Sequence, residues 1–193
     1  MGQTKFDILF DHVILKLKDL SPALSYHSIN HTIDVIRQAE RIANDEGINE
    51  KELYLLKVAA LYHDTGFLVT YADHEMKSCS IFEGDCTIFN FNDAEKELIL
   101  NLIMATKMPQ KPRTLLQKII CDADLDYLGR NDFPEISLRL KNEFMHYGII
   151  SDDQAWQKLQ LTFLQDHHFH TRSSQLLRQP VKMNNLSKLI QIN

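Results

Sequence analysis

Histidine and aspartate residues occur at three separated points of the sequence, each at or near the end of a predicted helix. His31 stands alone, and His63 is followed directly by Asp64. Asp124 lies much further along the chain, again on the apolar side of its helix. A charged or imidazole group that faces a core is costly unless it is paired, and a shared divalent cation is a suitable partner. We therefore predict that these four residues bind one divalent metal ion.

The donor types also limit which metal the site would take. Nitrogen and carboxylate ligands without a thiolate favour Mn, Mg, Fe, Ni or Zn in a catalytic site over a structural zinc. A lone histidine such as His31 commonly bonds a backbone carbonyl, so alone it is weak evidence. Asp64 is harder to explain, because the helix macrodipole disfavours an anion at a carboxyl end. The combination of the four residues favours a metal site.

Composition limits the class of protein. The chain has 193 residues, of which 44% are hydrophobic and 24% charged, as in an ordinary globular domain. A formal net charge of -5 argues against a nucleic-acid polymer or a membrane surface as partner. Cys79, Cys86 and Cys121 show no CxxC spacing and are predicted to be free thiols in a reducing compartment. The N-terminal segment is an amphipathic helix and not a signal peptide, so we expect a cytoplasmic protein.

Helical periodicity dominates the sequence. One apolar stripe runs from Ile29 to Ala43 and ends at a stop formed by residues 44–47. Capping-box patterns mark four helix starts, at Asn49 with Glu52, Asn92 with Glu95, Thr114 with Gln117, and Ser151 with Gln154. No segment alternates like a strand. We predict an all-α protein with a single helical domain over residues 1–193.

Two segments rich in charge or histidine mark a loop and a helix end. The sequence TKMPQKPR at 106–113 contains two prolines, so the preceding helix must end at or before Met108. The sequence DHHFH at 166–170 lacks a complete ligand set and is predicted to be a helix end, where the negative end of the macrodipole favours histidine.

Three motifs together resemble the HD superfamily of metal-dependent phosphohydrolases. They are HTIDV, which contains His31, LYHDTG at 61–66 and DADLDYLGR at 122–130. The resemblance covers about residues 25–130 and implies an HD-type helical bundle, followed by a helical extension over about 131–193. It places the isolated histidine on His31, the pair on His63 and Asp64, and the last aspartate on Asp124. His27 is a poorer match for the first position, and Asp122 competes for the last.

The resemblance also implies an activity. Such a protein would hydrolyse a phosphoester or pyrophosphate bond of a small, nucleotide-like substrate. Residues 65–68 contain no acidic side chain, unlike the alarmone hydrolases of this superfamily. His74 matches in spacing one of the extra histidines of dinuclear members, but Thr106 and Lys107 stand where the next are expected. One ion is therefore favoured, and His74 would contact the substrate, support a ligand from behind or act as a weak extra ligand.

Further residues are candidates for roles around that ion. An ion lowers the pKa of its bound water, and that water becomes the nucleophile. The candidate catalytic residues are Asp64, as a ligand of the ion, and Glu75 and Asp122, either of which could accept the proton of that water. Five cations are candidates for binding phosphate: Lys77, Lys107, Lys111, Arg113 and Arg130. Each of them alone is more often a solvated surface charge.

Two other functions stay open. The first is a di-iron oxygenase on the same scaffold, which needs more histidine ligands. The second is a regulator that binds metal or nucleotide without turnover. The expected partner is a small phosphorylated substrate, with no nucleic-acid polymer and no membrane, and self-association to a homo-oligomer is left open.

Overall fold

The computed structural model describes residues 2–192, and this part of the chain is built of helices without any β-strand. The α-helices are α1 (Lys5–Leu17), α2 (Ile29–Asp45), α3 (Glu50–Tyr62), α4 (His74–Cys86), α5 (Asp93–Ala105), α6 (Leu115–Asp124), α7 (Phe133–His146), α8 (Asp153–Asp166), α9 (Arg172–Leu177) and α10 (Gln179–Ile192). Two short 3-10 turns span Thr65–Leu68 and Asp126–Gly129. The predicted all-α fold is confirmed. No helix of the described residues has the length and apolarity needed to cross a membrane.

Three of the four predicted helix starts use the predicted capping residue. Asn49 accepts a hydrogen bond from the third residue of its helix, while Asn92 and Thr114 form complete capping boxes. Each such cap satisfies an amide that would otherwise lack a partner and contributes about 1 kcal/mol. These local bonds fix where α3, α5 and α6 begin. The stops are also as predicted, because α2 ends at Asp45 and α5 ends at Ala105, before Met108.

The fourth start lies one residue later than predicted. Asp152, and not Ser151, accepts the hydrogen bond from the amide of Ala155, and α8 begins at Asp153. A carboxylate is favoured at this position because its negative charge also interacts with the positive end of the helix dipole. The Ser151 hydroxyl donates to Asp152 instead.

The larger apolar core holds the first six helices together. α2 packs against α3 and α6, and α5 packs against α3 and α4. Fully buried side chains fill the space between them, among them Leu56, Ala59, Leu102, Ile103 and Ile119. Burying an aliphatic side chain of this size stabilises the fold by about 1.5–3 kcal/mol. This packing brings the first turn of α2 and the last turns of α3 and α6 to one place.

A second apolar cluster lies under the C-terminal helices. Its buried members are Tyr26, Leu125, Tyr127, Leu128, Phe133, Leu164, Phe169 and Leu186. The buried carboxylate of Asp126 accepts hydrogen bonds from Arg41 of α2 and Arg178, each at 2.8 Å. The C-terminal helices are thus packed and ion-paired onto the helices that carry the motifs.

Two further expectations, the free cysteines and the helix end at 166–170, are confirmed. The three cysteines are free, with Cys86 and Cys121 buried. The segment at 166–170 is a helix end, since α8 ends at Asp166 and His167 is its C-terminal cap residue.

Candidate metal centre

Three helix ends place the first three candidate ligands together. His31 lies in the first turn of α2, His63 directly follows α3, and Asp124 is the last residue of α6. One ligand atom of each residue lies within 4.8 Å of those of the other two. The Nε2 atom of His31 is 3.3 Å from Asp124 Oδ1 and 3.4 Å from His63 Nε2. A donor cluster of this kind can hold a divalent ion.

Asp64 completes the cluster. Its Oδ2 atom is 3.4 Å from His31 Nε2 and 3.2 Å from His63 Nε2. This oxygen is buried and has no hydrogen-bond partner within the described residues. A buried carboxylate oxygen without a hydrogen bond is costly, and a cation bound between it and the two imidazoles would remove that cost. The residues therefore fit a divalent metal.

The backbone orients His63 for such a role. Its Nδ1 atom donates a hydrogen bond to the carbonyl oxygen of Ala60 at 2.7 Å, which leaves Nε2 facing the cluster. A hydrogen bond on the far nitrogen is the usual way in which proteins fix the tautomer of a metal-binding histidine.

The charges of the cluster are strongly coupled. Burial raises the pKa of Asp64, but the imidazoles of His63 and His74 outweigh burial and hold that pKa well below its ordinary value. Conversely, burial lowers the pKa of His63, but Asp64 and Asp124 outweigh it and raise that pKa. Without an ion, the Asp64 carboxylate is thus kept ionised and His63 is kept protonated, and a metal ion would bind in place of the proton on His63 Nε2.

A close backbone contact fixes the turn that follows the His-Asp pair. The amide of Gly66 donates to the hydroxyl of Ser78 at 2.8 Å, and that hydroxyl donates to the carbonyl oxygen of His63 at 2.6 Å. A Cβ atom on Gly66 would lie 1.8 Å from the carbonyl oxygen of His74. Only glycine lets this turn approach α4 so closely, which brings the start of α4 to the cluster.

His74 and Glu75 are the predicted residues that α4 brings to the cluster. The Nε2 atom of His74 is 3.3 Å from Asp64 Oδ1 and 3.7 Å from Glu75 Oε1. The imidazole of His74 stacks on the ring of Phe67, with a centroid distance of 3.9 Å. Glu75 is buried. Both residues therefore lie where they can contact a molecule bound at the metal ligands.

Asp122 is placed differently. Its carboxylate accepts hydrogen bonds from the amides of His170 and Thr171, both at 2.8 Å, and from the Thr171 hydroxyl at 2.6 Å. Both oxygens are therefore used to hold the loop that precedes α9. The structure does not bring Asp122 to the cluster.

The predicted phosphate-binding cations also lie apart from the cluster, with one exception. Lys77, Lys111 and Arg113 are exposed, and Lys107 pairs with Asp73 at 2.5 Å. Arg130 lines a cavity beside the candidate ligands, but its guanidinium is bonded to Asp34 at 2.7 Å and to Asp132 at 3.0 Å. Of the five cations, Arg130 is the one that lines a cavity shared with the cluster. The predicted contacts of all five with substrate stay predictions.

One pair of residues at the site escaped the sequence analysis. The Nδ1 atom of His27 is hydrogen-bonded to the buried carboxylate of Glu143 in α7. The same carboxylate accepts hydrogen bonds from the amide of Tyr26 at 2.8 Å and from the hydroxyl of Tyr71 at 2.9 Å. The ring centroid of His27 is 5.9 Å from that of His31. No local pattern in the sequence could have paired residues so far apart in the chain.

Two cavities adjoin the cluster. The first has a volume of about 240 Å³ and a polar wall that includes His31, Asp34, Asp124 and Arg130. The second has a volume of about 330 Å³ and reaches from Asp64, His74 and Asp124 into the space between α7 and α8. Tyr26, Asp124 and Tyr127 line both. His31, Asp64 and Asp124 therefore lie between a polar cavity and a larger second cavity.

The converging helix ends define an all-α protein with a His-Asp cluster that could hold a metal ion. The family model for the HD domain matches residues 28–126, about half of the chain. The chain belongs to this family, whose superfamily comprises metal-dependent hydrolases. The matched segment contains all four candidate ligands but neither His27 nor Glu143. No curated protein and no solved structure matches the chain.

Proposed function

We propose that this protein is a metal-dependent phosphohydrolase that cleaves the ester bond of a small organic phosphate. The single observation that carries the proposal is the position of the Asp64 Oδ2 atom. This atom is buried without a hydrogen-bond partner among the described residues, and it lies within 3.4 Å of the Nε2 atoms of both His31 and His63. Two imidazoles and two carboxylates, with Asp124 as the fourth, leave open positions on a six-coordinate ion. The nucleotide-like substrate expected from the sequence stays a prediction.

The chemistry would divide between the ion and the chain. When bound, a divalent ion lowers the pKa of a bound water and neutralises charge on the phosphoryl oxygens. Asp64 and Asp124 supply the two negative charges that hold such an ion. His74 contacts Asp64 Oδ1, the carboxylate oxygen that does not face His31 and His63, and from there it can contact a phosphoryl oxygen. Glu75, next to it and buried, can accept a proton from the attacking water.

His27 has the position of a further group that contacts the substrate. The bond from Nδ1 to Glu143 fixes its ring, and stacking on Phe67 at a centroid distance of 4.3 Å fixes it further. This arrangement leaves Nε2 as the ring nitrogen that can meet a ligand. Because His27 lines the second cavity with Asp64, we assign it the role of binding the phosphoryl or leaving-group oxygen.

Other chemistry on this scaffold would require more ligands. His74 is one additional imidazole at the cluster. Near the next expected position, the hydroxyl of Thr106 is buried and donates to the carbonyl oxygen of Ile103 at 2.8 Å. Thr106 thus supplies no imidazole there, and Glu143 holds the Nδ1 atom of His27, so the arrangement favours hydrolysis with one ion over a di-iron centre.

The proposal is tested with purified full-length protein and a panel of alkyl, aryl and nucleoside phosphates. We expect phosphate release that chelation abolishes and that Mn²⁺ restores. Asp64→Asn should lose both activity and bound metal, whereas Asp19→Asn, at an exposed loop position, should keep both. Full metal occupancy with no hydrolysis of any member of the panel would contradict the proposal and favour the non-catalytic regulator.

A further inference from the structure

We propose that the second cavity binds an apolar group of the substrate, so that the preferred substrates are phosphate esters of an alkyl or aryl alcohol. This inference rests on the proposed function, because it takes the phosphoryl group to lie at the metal ligands. It adds the chemical class of the alcohol, which neither the motifs nor the HD family specifies.

The cavity begins at the metal ligands. Asp64, His74 and Asp124 line its end at the cluster, and Leu125 follows directly after the last of these. A group attached to a phosphate at the cluster would therefore enter this space. Most of the remaining wall, here called the α7–α8 wall, consists of apolar side chains of α7, α8 and the preceding turn: Leu128, Phe133, Leu140, Phe144, Trp156, Leu159, Phe163 and Leu164. Leu159 of this wall is 40% exposed, so the cavity reaches the surface beside α8.

The distribution of charge within the cavity indicates an uncharged occupant. No lysine or arginine of the described residues lines it, and its ionisable groups other than tyrosine lie at or beside the cluster: His27, Asp64, His74, Glu75 and Asp124. The amide of Gln160 is the main polar group of the α7–α8 wall, and it already donates to the hydroxyl of Ser137. A sugar or a second phosphate placed there would lose its hydrogen bonds to water without replacement.

The size of the cavity excludes an ordinary packing gap. Protein interiors are packed as densely as organic crystals and contain few voids larger than a water molecule. The volume of about 330 Å³ is instead at the lower end of the range for small-molecule sites. Leu128, Phe133 and Leu164 of its wall belong to the second buried cluster. The geometry therefore fits a ligand group of the size of an aromatic ring or a short alkyl chain.

The first cavity offers a contrast on the other side of the same ligands. Its wall carries Asp34, Arg130, Asp132, Glu135 and Arg139, all of them charged. An apolar group would gain little there. The asymmetry of the two cavities assigns the apolar part of the substrate to the α7–α8 side.

The test uses a series of methyl-, propyl- and hexylphosphonate, whose carbon–phosphorus bond is not hydrolysed. The only tryptophan of the chain, Trp156, lines the cavity, so its fluorescence reports on occupancy. In Mn²⁺-loaded protein we expect Kd to fall roughly two- to fourfold for each added methylene. The same trend should persist at weaker affinity in metal-free protein, because the apolar wall belongs to the chain.

A matched pair of variants locates the effect. Leu140→Trp fills part of the cavity from α7. It should raise the Kd of hexylphosphonate, relative to that of methylphosphonate, at least threefold above the wild-type ratio, as measured by calorimetry. Leu138→Trp makes the same change on the same helix at a side chain that is 53% exposed and lies outside the cavity. It should leave the dependence as in the wild type. If Leu140→Trp does not fold, the wild-type series alone decides.

The outcomes separate this inference from the proposed function. Equal Kd values for methyl- and hexylphosphonate, or tighter binding of a nucleoside monophosphate than of hexylphosphonate, would overturn the apolar site even if esters are hydrolysed. A clear increase of affinity with chain length, without hydrolysis of any ester, would support the apolar site and overturn the phosphohydrolase.

Discussion

His27 is hydrogen-bonded to Glu143, a fully buried carboxylate that lies 116 residues further along the chain. This bond joins the loop before α2, which carries the candidate ligand His31, to α7 in the C-terminal part of the chain. Burial raises the pKa of the Glu143 carboxyl, but the interactions with the His27 side chain and with the amides of Tyr26 and His27 together outweigh burial and lower that pKa. Glu143 is therefore ionised and holds His27 beside the cluster.

Replacing Glu143 by glutamine should reduce turnover without removing the metal. The amide side chain keeps the shape but loses the charge that fixes His27, and loss of such a partner typically reduces activity roughly 10- to 100-fold. Steady-state hydrolysis and metal analysis of the same preparation measure both quantities. Glu97→Gln, at an exposed position of α5 that lines neither cavity, is the control. An unchanged kcat in Glu143→Gln would show that His27 needs no fixed orientation.

His74→Ala should leave one metal ion bound per chain and weaken substrate binding. The imidazole of His74 contacts Asp64 Oδ1, whereas His31 and His63 contact the other carboxylate oxygen, Oδ2. We expect a rise in KM of roughly tenfold, as for the loss of one hydrogen bond to a charged group. Elemental analysis of the variant beside the wild type gives the metal content. A fall from two ions to one would instead make His74 a ligand of a second ion.

Gly66→Ala should destabilise the protein. Its Cβ atom would lie 1.8 Å from the carbonyl oxygen of His74 and 2.8 Å from the amide nitrogen of Ser78, and both are backbone atoms. Because α4 must shift to make room, we expect a loss of about 2–3 kcal/mol in the free energy of unfolding. Denaturant titration measures it.

The control for this substitution lies in the same region. A Cβ atom on Gly84, within α4, would meet no atom within 4 Å. Gly84→Ala should therefore stabilise the helix by about 0.5–1 kcal/mol. Equal stability of the two variants would show that α4 is not held against the turn after the His-Asp pair.

Stability should fall below pH 6.5 in part because of His167. Burial is the largest cause that lowers its pKa, followed by the charges of Lys182, His170 and His168, and the result is a pKa of about 3. The unfolded chain, with a histidine pKa of about 6.5, binds a proton that the folded chain does not accept. The contribution of neutral His167 is thus fully present above pH 6.5 and is lost as the pH falls towards 3.

His167→Gln measures this contribution by difference. Between pH 6.5 and pH 4, the free energy of unfolding of the variant should decrease less steeply than that of the wild type. His146→Gln, at an exposed position of α7, serves as control and should retain the wild-type slope. Parallel pH curves for wild type and His167→Gln would show that His167 is hydrated or protonated in the folded protein.

Local signals in the sequence predicted the helices well, because capping bonds join residues only three positions apart. Asn92 and Thr114 are examples. The cap of α8 is Asp152 and not the predicted Ser151, because either of these neighbouring residues can cap a helix. The motif spacing also predicted that His31, His63 and Asp124 would meet. These residues meet because they stand at helix ends whose packing the apolar stripes determine.

Long-range partners could not be predicted in the same way. Nothing near Asp122 in the sequence shows that its carboxylate holds the loop at 170–171, or that Arg130 is bonded to Asp34. The same is true of Glu143 and of the second cavity, since both depend on how α7 and α8 pack against the motif-bearing helices. Aromatic residues at helical spacing in that region look like ordinary core residues until the space between them is known.

The most direct test of the central claim is the rate of phosphate release as a function of the metal bound per chain. Metal-free protein is titrated with Mn²⁺ while bound ion and hydrolysis are measured on the same samples. We predict that the rate rises in proportion to bound ion and saturates at one ion per chain, and that Asp64→Asn shows neither binding nor hydrolysis. Hydrolysis that is independent of bound metal, or one bound ion per chain without any hydrolysis, would contradict the account.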